Sequence, residues 1–234
     1  MVETTGCTDH DGNGTVDDCV AMDAAIDAAA TARCRTSPNP WVGSVVMVDG
    51  RIVGTGATRP PGGPHAERVA IEAAAANGGS IDGSTLVTTL EPCHHEGRTG
   101  PCTDAIVAAG VARVVVAVED PDPQVAGRGI AGLREAGLEV VVGVRADEVA
   151  EQLAPYLHHR RTGRPLVVLK MATTVDGRIA APDGSSRWVT GPQARADVHR
   201  MRAESDAVCV GSGTVRADDP RLDVRDWPEA AAME

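Results

Sequence analysis

Pro64-His65-Ala66-Glu67, together with Glu91-Pro92-Cys93 and the run through to Cys102, decides how the rest of this chain is read. An imidazole and two thiols are nitrogen and sulfur ligands of the kind zinc takes, and a catalytic zinc keeps one of its four positions for water. His65, Cys93 and Cys102 supply three ligands and leave that position open. Glu67 stands two residues after His65, near enough to reach the water and not needed as a ligand. Bound zinc lowers the pKa of water from about 15.7 to roughly 7. A carboxylate placed beside it can carry the proton to a leaving amine.

H-x-E followed by Pro-Cys and a second Cys is a signature of zinc deaminases. H-x-E alone is common. A Pro-Cys that ends a strand and a second Cys that opens a helix make the pattern specific. Nucleobase deaminases place two residues between the cysteines, whereas here there are eight, His94 to Pro101. A closed structural site would need a fourth protein ligand, for which His94 and His95 are the candidates. The reading adopted is the hydrolytic site.

Composition sets bounds. The chain has 234 residues and 42% hydrophobic residues, enough for a core, but no Phe and one Tyr, so Val, Ala, Leu and Ile must fill it. A net charge of −11 argues against a general nucleic-acid surface, which would be basic. A phosphorylated small substrate stays open, because a few local arginines suffice to hold it. No stretch approaches the roughly 20 apolar residues of a membrane span, and the acidic, polar N-terminus does not read as a signal peptide. Six cysteines in this length do not make a disulfide framework. Cys7, Cys19, Cys34 and Cys209 are expected to be reduced thiols in a cytoplasmic protein.

Residues 1–16 read as a polar, disordered lead-in. Asp9, Asp11, Asn13, Gly14 and Asp17 fit five positions of a calcium loop, but position 12 calls for a bidentate Glu and is Val20. The plainer reading is that Asp17 or Asp18 caps a helix running over 18–33, with Val20, Met22, Ala25, Ile26 and Ala29 as its apolar face. A Pro-rich loop, Ser37 to Gly43, precedes two apolar runs, 43–48 and 51–57, joined by Asp49-Gly50, a strong hairpin signal. A helix is expected from His65 to Asn77, a strand over 84–90, and a helix from Cys102 to Ala109. The nearly continuous Val/Ala run 111–118 suggests a strand buried on both faces in a parallel sheet. A helix (128–136), a strand (138–142) and a helix (146–160) complete an α/β layered domain, residues 17–162. Gly163-Arg164-Pro165 marks a boundary. Beyond it, strands are expected over 166–170 and 206–210, a helix over 193–204, and a Gly-rich turn at Gly211-Ser212-Gly213-Thr214, of a type that can approach phosphates.

Pro38-Asn39-Pro40, Val42-Gly43, His65-Ala66-Glu67, Leu90-Glu91-Pro92-Cys93, Gly97-Arg98-Thr99, Pro101-Cys102, Asp120-Pro121 and Val125-Ala126-Gly127-Arg128-Gly129 stand in the first part. Lys170-Met171-Ala172, Val175-Asp176-Gly177-Arg178, Trp188-Val189-Thr190 and Ala217-Asp218-Asp219-Pro220 stand in the second. With these motifs, over about residues 18–226, the chain resembles the bifunctional deaminase–reductases of riboflavin biosynthesis. The eight-residue gap between the cysteines belongs to that family.

The resemblance implies a cytidine-deaminase-like three-layer α/β/α domain followed by the N-terminal part of a dihydrofolate-reductase-like α/β domain, residues 163–234. It implies hydrolysis of the 2-amino group of 2,5-diamino-6-ribosylamino-4(3H)-pyrimidinone 5′-phosphate. In the full-length family an NADPH-dependent reduction of ribosyl to ribityl follows. Carried over, His65, Cys93 and Cys102 bind zinc, Glu67 is the proton shuttle, and Asn39, His95 and Arg98 contact substrate. In the second part Ala172, Trp188, Thr214 and Asp218 match NADP contacts. Lys170, Ser186, Arg202, Leu222 and Arg225 match substrate contacts. The family's reductase domain is about three times longer than residues 165–234, so the chain is expected to be a fragment or a protein without a working reductase. Its apolar runs 166–169 and 206–210 then need a partner, and a homo-oligomer without nucleic acid or membrane is expected. Two other readings remain: a deaminase of another nucleoside or nucleobase, and a non-catalytic zinc-stabilised module.

Overall fold

The computed structural model describes residues 17–95 and 100–225. They fall into two compact units, one ending at Leu166 and one beginning at Val167.

In the first unit the elements follow in order: α1 (Asp18–Ala30), β1 (Gly43–Val48), β2 (Arg51–Ala57), α2 (Ala66–Ala76), β3 (Thr85–Leu90), α3 (Cys102–Ala108), β4 (Arg113–Val118), α4 (Arg128–Glu135), β5 (Glu139–Val142), α5 (Ala146–Gln152) and α6 (Ala154–Thr162). Asp17 caps α1, its Oδ1 accepting the Val20 N–H at 2.8 Å. The other four residues of the calcium-loop pattern, 9–14, lie outside the described residues. Asp49 and Gly50 both take the left-handed conformation, φ 49° and 67°, which matches the twist of a tight hairpin.

The five strands form one sheet in the order β2-β1-β3-β4-β5. β1 runs antiparallel to β2 and β3, while β3, β4 and β5 are parallel. Alternation along the strands divides the core in two. Val45, Met47, Val87, Val115 and Ala117 meet Met22 of α1, Val149 of α5 and Leu157 of α6 on one face. Val46, Leu86, Val114 and Val116 meet Ala70 of α2, Ile106 of α3 and Leu133 of α4 on the other. A sheet covered on both faces is what the Val-rich β4 requires, and these are the three layers of the expected first domain.

Two differences have physical causes. The single helix expected over 146–160 is two, broken at Leu153 (φ −95°, ψ 11°). Pro155 follows, and its ring would clash with the carbonyl four residues back in a continuous helix. Cys19, expected as a free thiol, is disulfide-bonded. A cysteine count carries no information on which two are neighbours.

The second unit contains α7 (Pro192–Ala203) and α8 (Ser212–Asp218). The strands expected over 166–170 and 206–210 do not form. Val167 is 83% and Leu169 82% exposed. Their composition suits a strand, but a strand exists only by pairing its N–H and C=O groups with a neighbour, and no neighbour is present among the described residues. Gly211-Ser212-Gly213-Thr214 opens α8 rather than forming a free turn. Segment 221–225 lies against α7: Arg202 Nη1 donates to the Asp223 carbonyl, and the Arg225 N–H donates to Nδ1 of the buried His199.

Candidate metal and active site

Strand direction brings the first unit's candidate residues to one edge of the sheet. Gly43 pairs with Ala57, Ser44 with Thr88, and Leu90 with Val118. The start of β1 and the ends of β2, β3 and β4 therefore lie together. From these ends leave the Asn39 loop, the loop to His65, the Glu91-Pro92-Cys93 segment and the Asp120 loop.

His65 is the N-cap of α2, extended at φ −75° and ψ 164°, and its side chain makes no capping bond. The imidazole is left for another task. Cys102 is the first residue of α3. His65 Nδ1 lies 3.6 Å from Cys93 Sγ and 3.3 Å from Cys102 Sγ, and the three ligand atoms all fall within 4.8 Å of one another. Zn–S near 2.3 Å and Zn–N near 2.0 Å at tetrahedral angles put such atoms roughly 3.5–4 Å apart, so the donor set fits zinc. His94, the first alternative fourth ligand, turns instead to Thr103, its Nδ1 3.0 Å from Oγ1.

Close backbone approach holds α2 where this requires it. A Cβ on Gly56 of β2 would lie 2.3 Å from the Ala66 carbonyl oxygen, so only glycine lets the first turn of α2 rest on the strand.

Glu67 is 3% exposed. Burial, and then the Cys93 thiolate, push its carboxyl up to about 7. Without metal the two thiols share a proton. Cys93 is drawn down to about 4 by the hydrogen bond from the Cys102 thiol. Cys102 is driven up by that same bond and by burial. His65 is raised by its bond to Cys93, against burial. A metal ion binds by displacing such protons.

The end of β3 is anchored by a residue whose role the sequence does not announce. Buried Glu91 accepts four backbone N–H groups: Asp120 and Gly127 at Oε2 (3.1 and 3.0 Å), Gly129 and Ile130 at Oε1 (2.8 and 3.1 Å). A Cβ on Gly129 would sit 2.0 Å from the Pro92 carbonyl oxygen. Asp120 in turn accepts the Tyr156 hydroxyl at 2.9 and 3.1 Å, and burial raises its carboxyl above the usual range. The motif letters Leu90-Glu91-Pro92-Cys93 and Asp120-Pro121 were the available signal.

The other candidates are placed as follows. Asn39 is exposed in the loop before β1, its N–H donating to the Thr36 carbonyl. His95 is half-buried, and its Nδ1 finds no partner among the described residues. Arg98 lies outside the described residues. In the second unit Lys170, Ser186, Thr214, Asp218 and Arg225 are exposed, and Ala172, Arg202 and Leu222 half-buried. Trp188 is 70% exposed, with the Arg195 guanidinium 4.5 Å from its ring centroid. The 221–225 segment brings Arg225 to the same α7 helix as Arg202. No helix among the described residues is long and apolar enough to cross a membrane.

Comparison with known proteins gives this geometry a lineage. Residues 15–118 match the cytidine and deoxycytidylate deaminase zinc-binding region, and residues 165–234 the RibD C-terminal domain. The riboflavin biosynthesis protein RibD of Haemophilus influenzae is 48% identical over 212 residues, 91% of this chain and 56% of that protein. RibD of Escherichia coli is 48% identical over 208 residues, 89% of this chain and 56% of that protein. A solved structure from Thermotoga maritima, a diaminohydroxyphosphoribosylaminopyrimidine deaminase/5-amino-6-(5-phosphoribosylamino)uracil reductase, is 44% identical. It superposes with a TM-score of 0.84 over 89% of this chain and 59% of that one. The chain spans little more than half the length of these relatives, and over that span it belongs to the RibD family of riboflavin-biosynthesis proteins.

Proposed function

We propose that the first unit is a zinc-dependent pyrimidine deaminase. In this reading it replaces the 2-amino group of 2,5-diamino-6-ribosylamino-4(3H)-pyrimidinone 5′-phosphate with oxygen. One water is consumed and one ammonia leaves as the C–N bond breaks. The observation that carries the reading is the set His65, Cys93 and Cys102, within 4.8 Å, with the buried carboxylate of Glu67 beside it.

Zinc, when bound by these three residues, supplies an activated water. Glu67 moves the protons. Held near 7 by burial, its carboxylate accepts a proton and returns it to the departing amine at neutral pH. Asn39 and His95 orient the ring; the Nδ1 of His95, without a partner among the described residues, supports a polar contact there. Arg98 binds the phosphate, for which its planar fork is suited. The eight residues between the cysteines support this substrate over a free nucleoside or base.

The second unit is assigned no NADPH-dependent reduction of its own, since its described residues build no sheet. Saturable NADPH binding to the purified chain would overturn that assignment. The reading also includes a cytoplasmic location, which a site built on the reduced thiols of Cys93 and Cys102 favours and the disulfide at Cys19 does not. It includes a homo-oligomer, which the exposed Val167, Val168 and Leu169 favour.

The test is incubation of the purified chain with this substrate and NADPH, read by mass spectrometry. Exchange of one amine for oxygen, and nothing further, is expected. Glu67→Gln is expected to abolish turnover with zinc content retained. Unchanged turnover in that variant would sink the proton-shuttle assignment.

A further inference from the structure

Arg68 lies in the first turn of α2, three residues after His65. Its Nη2 donates to two successive carbonyls, Gly100 at 2.9 Å and Pro101 at 3.1 Å. Its Nε is buried without a partner among the described residues. Pro101 is the N-cap of α3, and Cys102 follows it. One guanidinium thus reaches from the helix that begins at one ligand to the backbone that delivers another.

The stem it grips has few other handles. Gly100 has no side chain and Pro101 no N–H, so the two carbonyls and the Gly100 N–H are the polar groups a neighbour can hold. The rest of the junction is tied within itself: the Cys102 N–H points to Cys93 Sγ at 3.4 Å, and the Thr103 N–H donates to the Cys93 carbonyl at 3.2 Å. These bonds fix Cys102 to Cys93. Arg68 supplies a side-chain tie from that pair to α2, where His65 stands. Both bonds leave one nitrogen, Nη2, whose two N–H groups are fixed in the guanidinium plane, whereas a lysine ammonium would bring freely rotating donors on a more flexible stem.

We propose that Arg68 is a positioning residue that sets the spacing of His65 from the two cysteines and holds Gly100-Pro101, which follow Arg98 closely in the chain. The metal-spacing part stands on the contacts above. The substrate part rests on the deaminase reading, with Arg98 as its phosphate contact.

The test compares wild type, Arg68→Leu and Arg68→Lys in the full chain. Zinc affinity is measured by competition with a chromophoric chelator. Ligand geometry is read from the thiolate charge-transfer and d–d bands of the cobalt(II)-substituted protein. Removing a group that orients ligands costs about 10–100-fold in metal affinity. That loss, with altered cobalt bands, is expected for Arg68→Leu, and KM for the ribosyl phosphate substrate should rise more than kcat falls. Arg68→Lys, which keeps the charge and a donor, should recover part of each change. Wild-type affinity and cobalt bands in Arg68→Leu would overturn the proposal, and so would Arg68→Lys behaving no better than Leu. Should Arg68→Leu not fold, Arg68→Lys against wild type carries the same comparison, with unchanged bands and affinity counting against the proposal. If wild type turns over no substrate, the deaminase reading fails. The zinc and cobalt measurements still decide Arg68.

Discussion

Glu91 and Glu67 are both buried carboxylates beside the same metal ligands, yet they face different neighbours. Glu67 is surrounded by titrating groups, and Glu91 by backbone N–H groups contributed from 29 to 39 residues downstream. A glutamine at 91 would turn an NH2 toward donors, and each buried group left unmatched costs about 1–3 kcal/mol. Glu91→Gln is therefore expected to destabilise the zinc-loaded chain by about 2–4 kcal/mol in urea unfolding. A loss under about 0.5 kcal/mol would show that the four bonds are dispensable. His65, Glu67, Cys93 and Cys102 were legible in the sequence because their chemistry lies in residue type and short spacing. The parts played by Glu91 and Arg68 were not, because each depends on partners that only the fold brings near.

At the scale of elements, α2 owes its place to Gly54 and Gly56, where added methyls would strike Ala70 and Ala66. Overpacking a close contact costs about 1–3 kcal/mol. Gly56→Ala is expected to lose that much and to weaken zinc binding, because His65 must move with the helix end. Gly79→Ala, with open space at its Cβ, is the control and should match wild type in both. Equal zinc affinity in the two variants would show that α2 is held elsewhere. The elements of the first unit were readable because their apolar periodicities agree with burial on a two-faced sheet. The break at Leu153 lay with Pro155, which an apolar count does not weigh. Residues 166–170 and 206–210 were misread because β-branched composition reports what a strand tolerates and not whether a ladder exists.

At the scale of the molecule, the ligands come from two loop–helix junctions, at His65 and Cys102, and from the segment after β3, at Cys93, which meet only in the folded unit. Metal that binds the folded state alone stabilises it by about 2.7 kcal/mol at a hundredfold excess over Kd. For a unit of this size that is a rise of about 5–10 °C. Calorimetry with zinc and then with a chelator should show this shift in the first unit's transition. An unchanged transition would mean that the ligands are not joined by metal.

The antiparallel pairing of β1 with β2 carries a consequence for engineering. The ladder that collects the chemistry where Gly43 meets Ala57 leaves Asp49-Gly50 at the far end, beyond the Val48–Arg51 pair. A peptide tag or reporter spliced into that turn pays only for a longer loop closure, about 0.6 kcal/mol per doubling, and no metal ligand lies on the strand ends it would spread.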